Sequence, residues 1–83
     1  MRVEILYAHD CGHCVRAAER VVTMAHEWPS IEALKVDITD TPETALAHGY
    51  ETCPLLVVDG KVAYVGVPTH AFLADLASHA TAP

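Results

Sequence analysis

The chain has 83 residues, 52% of them hydrophobic and 19% charged, and a formal net charge of −6 with its six histidines counted as neutral. That length predicts a single domain over 1–83 with a small core, since such a chain buries only about 60–65% of its extended surface, and the composition excludes a disordered chain. The acidic balance argues against nucleic acid or an anionic membrane as partner, no run reaches the ~18 apolar residues of a membrane-spanning helix, and three cysteines are too few for a disulfide framework.

Residues 2–8 read as a buried strand. A helix follows, on which Val15, Ala18, Val22 and Ala25 recur at helical spacing, with Arg16, Glu19, Arg20 and Glu27 on the other face. Trp28-Pro29 ends it, because proline restrains the residue before it and offers no N–H. Leu34, Val36 and Ile38 alternate in a second strand over 31–38, parallel to the first because a helix links them. Thr41 caps a short second helix with Pro42 in its first turn, and Gly49 ends it. Leu55 to Val58 and Lys61 to Val65 flank Asp59-Gly60, which is a hairpin signal. Thr69 caps a last helix with Phe72, Leu73, Leu76 and Ala80 as its apolar stripe, and Ala80 to Pro83 are expected to fray. The order is βαβαββα, an α/β chain.

The first strand runs into Cys11-Gly12-His13-Cys14 at the start of the first helix. Two cysteines at this spacing can close a disulfide and reopen it. A helix N-terminus presents unpaired N–H groups and partial positive charge, which favours a thiolate. The thiolate is the nucleophile of thiol–disulfide exchange, and such motifs are where its pKa is lowered. Met1-Arg2-Val3-Glu4-Ile5 does not read as a signal peptide. A reducing cytoplasm is the simplest compartment.

These features, with Thr52-Cys53-Pro54 ahead of the Leu55 strand and Gly66-Val67-Pro68-Thr69 ahead of the last helix, resemble the thioredoxin/glutaredoxin superfamily. The resemblance is strongest to the small, glutaredoxin-sized archaeal thioredoxins. It implies a thioredoxin fold, a mixed four-stranded sheet flanked by helices. It implies a cis peptide bond at Pro54, with Cys53 offering its backbone to an extended substrate chain and Thr52 beside it. It also implies that Cys53 lies close to Cys11 without being its normal disulfide partner. The chain departs from thioredoxins in having Asp10 where they have Trp, and Ile5 where they carry a buried Asp. It lacks the second Gly and the acid with which glutaredoxins hold glutathione. Gly12-His13 resembles the dipeptide of protein disulfide isomerases, which implies a potential less reducing than about −270 mV.

Cys11, at the exposed end, is expected to attack the target disulfide, and Cys14, one turn in, to resolve the mixed disulfide. Protonated, His13 would stabilise the Cys11 thiolate, while Asp10 would oppose it. Cys53 reads as a small packing residue or as a third thiol. No cofactor is expected beyond a Cys11–Cys14 redox disulfide. Protein disulfides are the expected substrates, a thioredoxin-reductase-type enzyme the donor, and a monomer the working state. A glutathione-dependent glutaredoxin is the alternative enzyme. A metal-binding module using Cys11, Cys14 and Cys53 with His13 or His9 is the alternative of another class. His26, His48, His70 and His79 read as surface residues, and Tyr7 and Tyr64 as strand core or edge.

Overall fold

The computed structural model describes residues 1–80, the last by its backbone alone. The fraying expected from Ala80 to Pro83 and a core place for the Ala80 side chain therefore lie outside what is described. The elements are β1 (Arg2–Tyr7), α1 (Gly12–Glu27), β2 (Glu32–Asp37), α2 (Glu43–Leu46), β3 (Leu55–Val58), β4 (Lys61–Val65) and α3 (His70–Ala80). The strands form one mixed sheet in the order β2-β1-β3-β4. β1 runs parallel to β2, with Ile5 opposite Lys35, and antiparallel to β3, with Ile5 opposite Leu56.

Strand alternation sends successive side chains to opposite faces, so two cores form. Val3, Ile5 and Leu56 meet α1 and α3 on one face, against Ala17, Val21, Leu73 and Ala77. Leu6, Leu55 and Val57 face the other way, against Ile38 and Ala45 of the α2 side. Ile5, Leu6, Leu55 and Leu56 are all fully buried, and each is worth roughly 1.5–3 kcal/mol of transfer free energy.

The buried stripe of α1 differs from the expected one. Cys14, Ala17, Ala18, Val21 and Met24 are buried, while Val15, Val22 and Ala25 lie on its shoulder. The spacing is still 3–4 residues, but the stripe begins at the second cysteine of the motif. Arg20 is not a free surface charge: its guanidinium donates to the Pro68 carbonyl at 3.0 Å, tying α1 to the turn before α3.

The helix ends follow local chemistry. α1 stops at Glu27, ahead of Trp28-Pro29. α2 begins one residue later than expected: Pro42, not Thr41, is its N-cap, and no side chain caps it. Gly49 (φ 85°) turns the chain out of it. At α3 the Thr69 hydroxyl accepts the Phe72 N–H at 3.0 Å, the cap expected of it. The β3–β4 turn places Asp59 and Gly60 at φ 48° and 85°, the left-handed region that a two-residue hairpin requires. Arg2 and Asp59 exchange backbone and side-chain bonds of 2.9 Å, fastening that turn to β1. Among the described residues no helix is long and apolar enough to cross a membrane.

Candidate active site

β1 delivers Ala8, His9 and Asp10 to the end of the sheet from which α1 departs. Cys11 is the N-cap of α1, in extended conformation (φ −115°, ψ 115°). Its N–H donates to the Ala8 carbonyl at 3.1 Å, and its carbonyl accepts the Val15 N–H at 3.1 Å. No standard side-chain capping bond forms, so the first-turn N–H groups are left to the Cys11 sulfur. The backbone N–H of Cys14, then the Cys14 thiol and the N–H of His13, hold the Cys11 pKa below its ordinary value. Partial burial and the Asp10 charge push the other way. The Cys11 sulfur thus takes the place at a helix start usually held by a capping oxygen, where negative charge is favoured.

Cys14 is the opposite case. It is fully buried, and burial pushes its thiol up to about 12, with Cys53 and Cys11 adding to the rise. The Cys14 thiol donates to the Cys53 sulfur at 3.2 Å. Cys53 itself is half-buried and packs against the cluster of Leu6, Ile38, Ala45, Leu55 and Val57. The thiol it meets is therefore that of Cys14, whereas the sequence pointed to Cys11. The reason is the direction of the side chains: Cys14, on the first turn, points inward under α1, where the loop before β3 passes. The Cys53–Pro54 bond is cis, and the Pro54 carbonyl accepts the Gly66 N–H at 2.8 Å. Thr52 is exposed, its hydroxyl 3.4 Å from the Cys53 carbonyl. Ile5 is fully buried, and no polar or charged side chain is buried among the described residues. No interior carboxylate therefore accompanies Cys14.

His13 is oriented differently from the expectation. Its Nδ1 lies 2.8 Å from an Arg16 guanidinium nitrogen. Arginine only donates, so Nδ1 accepts and the ring proton of this tautomer sits on Nε2. Toward Cys11 it is the His13 backbone N–H, and not the ring, that lowers the thiol pKa.

A second polar group forms where the chain leaves β1 for the thiol motif. His9 Nδ1 and an Asp37 carboxylate oxygen are 2.6 Å apart. The other Asp37 oxygen accepts the Thr39 hydroxyl at 2.6 Å and the Thr39 N–H at 3.0 Å, and the Thr39 hydroxyl accepts the His9 N–H at 3.1 Å. The hydrogen bond to Asp37 raises the His9 pKa, and the bonds from Thr39 and His9 drive that of Asp37 well below the carboxylate range. Sequence reasoning missed Asp37 and Thr39. The available signal was an Asp at a strand end with Thr two residues on, a turn in which the carboxylate bonds local backbone.

Among the described residues no three His, Cys, Asp or Glu side chains are grouped to hold a metal ion. His9 and His13, the histidines that would complete a three-cysteine set, are engaged by Asp37 and Arg16. A groove of about 460 Å³ lies between α1 and α3, lined by Arg16, Arg20, Met24, Trp28, His70 and Leu73 among others, and no cysteine borders it.

A half-buried thiol of lowered pKa at a helix start, backed by a fully buried thiol of raised pKa, on a sheet of order β2-β1-β3-β4, defines a dithiol–disulfide oxidoreductase. The thioredoxin domain family model matches residues 1–78, and the chain belongs to that family. It is 28% identical over 76 residues to a thioredoxin of Methanocaldococcus jannaschii, covering 90% of this chain and 89% of that protein. It is 29% identical over 70 residues to a probable thioredoxin of Methanothermobacter thermautotrophicus, covering 83% and 82%. Among solved structures, a point mutant of thioredoxin from Halobacterium salinarum NRC-1 superposes with a TM-score of 0.75 at 29% identity, over 99% of this chain and 75% of that one. Chloroplastic thioredoxin z matches with a TM-score of 0.79 over 99% and 79%, at an identity of 18% that speaks for the fold alone.

Proposed function

We propose that residues 1–83 act as one thioredoxin-like unit that reduces protein disulfides through Cys11 and Cys14. Cys11 attacks the target disulfide as a thiolate and forms a mixed disulfide. Cys14 then attacks the Cys11 sulfur, releasing the substrate thiol and leaving a Cys11–Cys14 disulfide. Cys53 and Pro54, with Thr52 at the rim, offer backbone to the substrate chain. The His13 N–H supports the Cys11 thiolate. A thioredoxin-reductase-type enzyme restores the dithiol, and no further cofactor takes part. The protein works as a monomer in the cytoplasm.

The observation that carries this reading is the difference between the two thiols: the Cys14 N–H and thiol lower Cys11, and burial raises Cys14 to about 12. An accessible nucleophile and a protected resolver are what two-step exchange requires. Insulin disulfide reduction, driven by dithiothreitol and then by NADPH with a thioredoxin reductase, tests it. Turnover lost on Cys11→Ser is the expected result. Wild-type protein that does not accelerate insulin reduction with either donor would overturn it.

A further inference from the structure

Cys14 is the middle member of a row of three thiols. On one side its thiol and N–H meet Cys11. On the other its sulfur lies 3.2 Å from Cys53. The residues are distant in sequence: 39 positions separate Cys14 from Cys53. They come together because the first turn of α1 points its side chain at the loop that leads into β3. The Cys53 sulfur sits on an apolar floor of Leu6, Ile38, Ala45, Leu55 and Val57. Its approach to Cys14 is thus part of the packed fold.

We propose that Cys53 is a third redox residue, and that the oxidised domain exchanges its Cys11–Cys14 disulfide for an internal Cys14–Cys53 disulfide. The inference rests on the oxidoreductase reading only in taking Cys11–Cys14 as the first disulfide formed. Deprotonated Cys53 sulfur attacks Cys14 Sγ. The Cys14–Cys53 bond forms as the Cys11–Cys14 bond breaks, and Cys11 leaves with the electron pair as a thiolate. The proton lost by Cys53 passes to solvent. One disulfide is present before and after, so neither an oxidant nor a reductant is consumed.

Two features favour this direction of attack. The central sulfur already lies against the attacking one, so no strand or helix has to move to bring them together. The group displaced is Cys11, the thiol that the helix N-terminus stabilises as an anion, and a lower-pKa thiol leaves faster. The product holds its disulfide between buried Cys14 and half-buried Cys53 and leaves Cys11 as a lone nucleophilic thiol. In that form the once-oxidised protein still attacks a further disulfide, but has no free Cys14 to resolve the product. It then acts as a one-thiol reagent, whose mixed disulfide waits for an external thiol.

Disulfide mapping of the 83-residue chain tests the proposal. The protein is oxidised with diamide, quenched in acid, alkylated with iodoacetamide under denaturing conditions and cut with trypsin. A Cys11–Cys14 bond stays within the peptide 3–16, whereas a Cys14–Cys53 bond joins peptides 3–16 and 36–61. The expected result is a joined pair carrying its alkyl group on Cys11, located by fragment ions between positions 11 and 14. Oxidised Cys11→Ser should form the same bond, with complete loss of titratable thiols. Oxidised wild type whose alkyl group is found only on Cys53, or Cys11→Ser that keeps both thiols free in diamide, would overturn the proposal. Neither readout involves insulin reduction, so a failure here and a failure of the enzymatic reading are told apart.

Discussion

The sulfur atoms of Cys14 and Cys53 lie 3.2 Å apart, joining the first turn of α1 to the residue before Pro54. Cys14 is fully buried, and Cys11 is the more accessible thiol of the pair. Cys11 should therefore alkylate first in the reduced protein, and Cys11→Ser should abolish disulfide reduction. Cys14→Ser should trap a mixed disulfide with substrate, visible on non-reducing gels. Mass spectrometry of partially alkylated protein checks the order, and labelling that starts at Cys14 would reverse the assignment.

The backbone at position 13, and not the imidazole, faces the nucleophile. His13→Ala keeps the N–H and should leave the thiolate titration of Cys11 nearly where it is. His13→Pro removes the N–H at a first-turn position that tolerates proline. It should raise the Cys11 pKa, disfavour the reduced form and make the potential more reducing, by up to about 30 mV for a tenfold change in the dithiol equilibrium. Equilibration with glutathione buffers measures both variants. A shift as large in His13→Ala as in His13→Pro would return the effect to the ring.

Asp10 raises the Cys11 pKa by its charge. Asp10→Asn should therefore move the pH profile of Cys11 alkylation downward, by at most about half a unit for an exposed charge in water. The shift should shrink in high salt. Alkylation rates from pH 5 to 9 (roughly the range in which a lowered thiol titrates) decide it.

The His9–Asp37 pair makes stability depend on pH in both directions. The His9 pKa is raised by folding, so its contribution is full below the unfolded value of 6.5 and is lost as pH rises through the folded value. The Asp37 pKa is lowered, so its contribution is full above the unfolded value of 3.8 and is lost as pH falls toward the folded value. The pair should stabilise most between those two unfolded values. His9→Ala should therefore lower Tm more at pH 5.5 than at pH 9, values chosen as roughly inside and well above that window. Calorimetry at both pH values checks it, and an equal loss would remove the pair from the pH response.

Thr69 supplies a side-chain oxygen to the N–H of Phe72. Thr69→Ala should cost about 1 kcal/mol, the usual value of a lost N-cap. Urea denaturation measures it. Thr69→Ser should recover most of the loss, because the accepting oxygen remains.

The seven elements and their order were legible from local signals. Asp59-Gly60 between two apolar runs specified the hairpin, Trp28-Pro29 the end of α1, and Thr69 the start of α3. The placement of Cys11-Gly12-His13-Cys14 at the start of α1 was legible from the sequence, and the cis bond at Pro54 came from the family resemblance. The burial stripe of α1 was misplaced because Cys14 was read as chemistry, while the fold also uses it as core. The Cys14–Cys53 contact was not legible because it depends on which way a side chain points between segments 39 residues apart. The turn of His13 toward Arg16 is a three-residue helical neighbour contact. It was missed because the imidazole was assigned to the thiolate on charge alone.

The sheet order leaves β2 and β4 as its outer strands, and an unpaired strand edge invites a second chain to add to it. Along β2 the side chains of Glu32, Lys35 and Asp37 are exposed, charges that a docking strand would have to bury or oppose. On β4 a register shift opposite Leu56 and Val57 breaks the regular ladder, and a bulge of this kind twists an edge out of line with an incoming strand. Neither flank therefore offers a flat, regular ladder to an added strand, and the sheet is guarded against polymerising edge to edge.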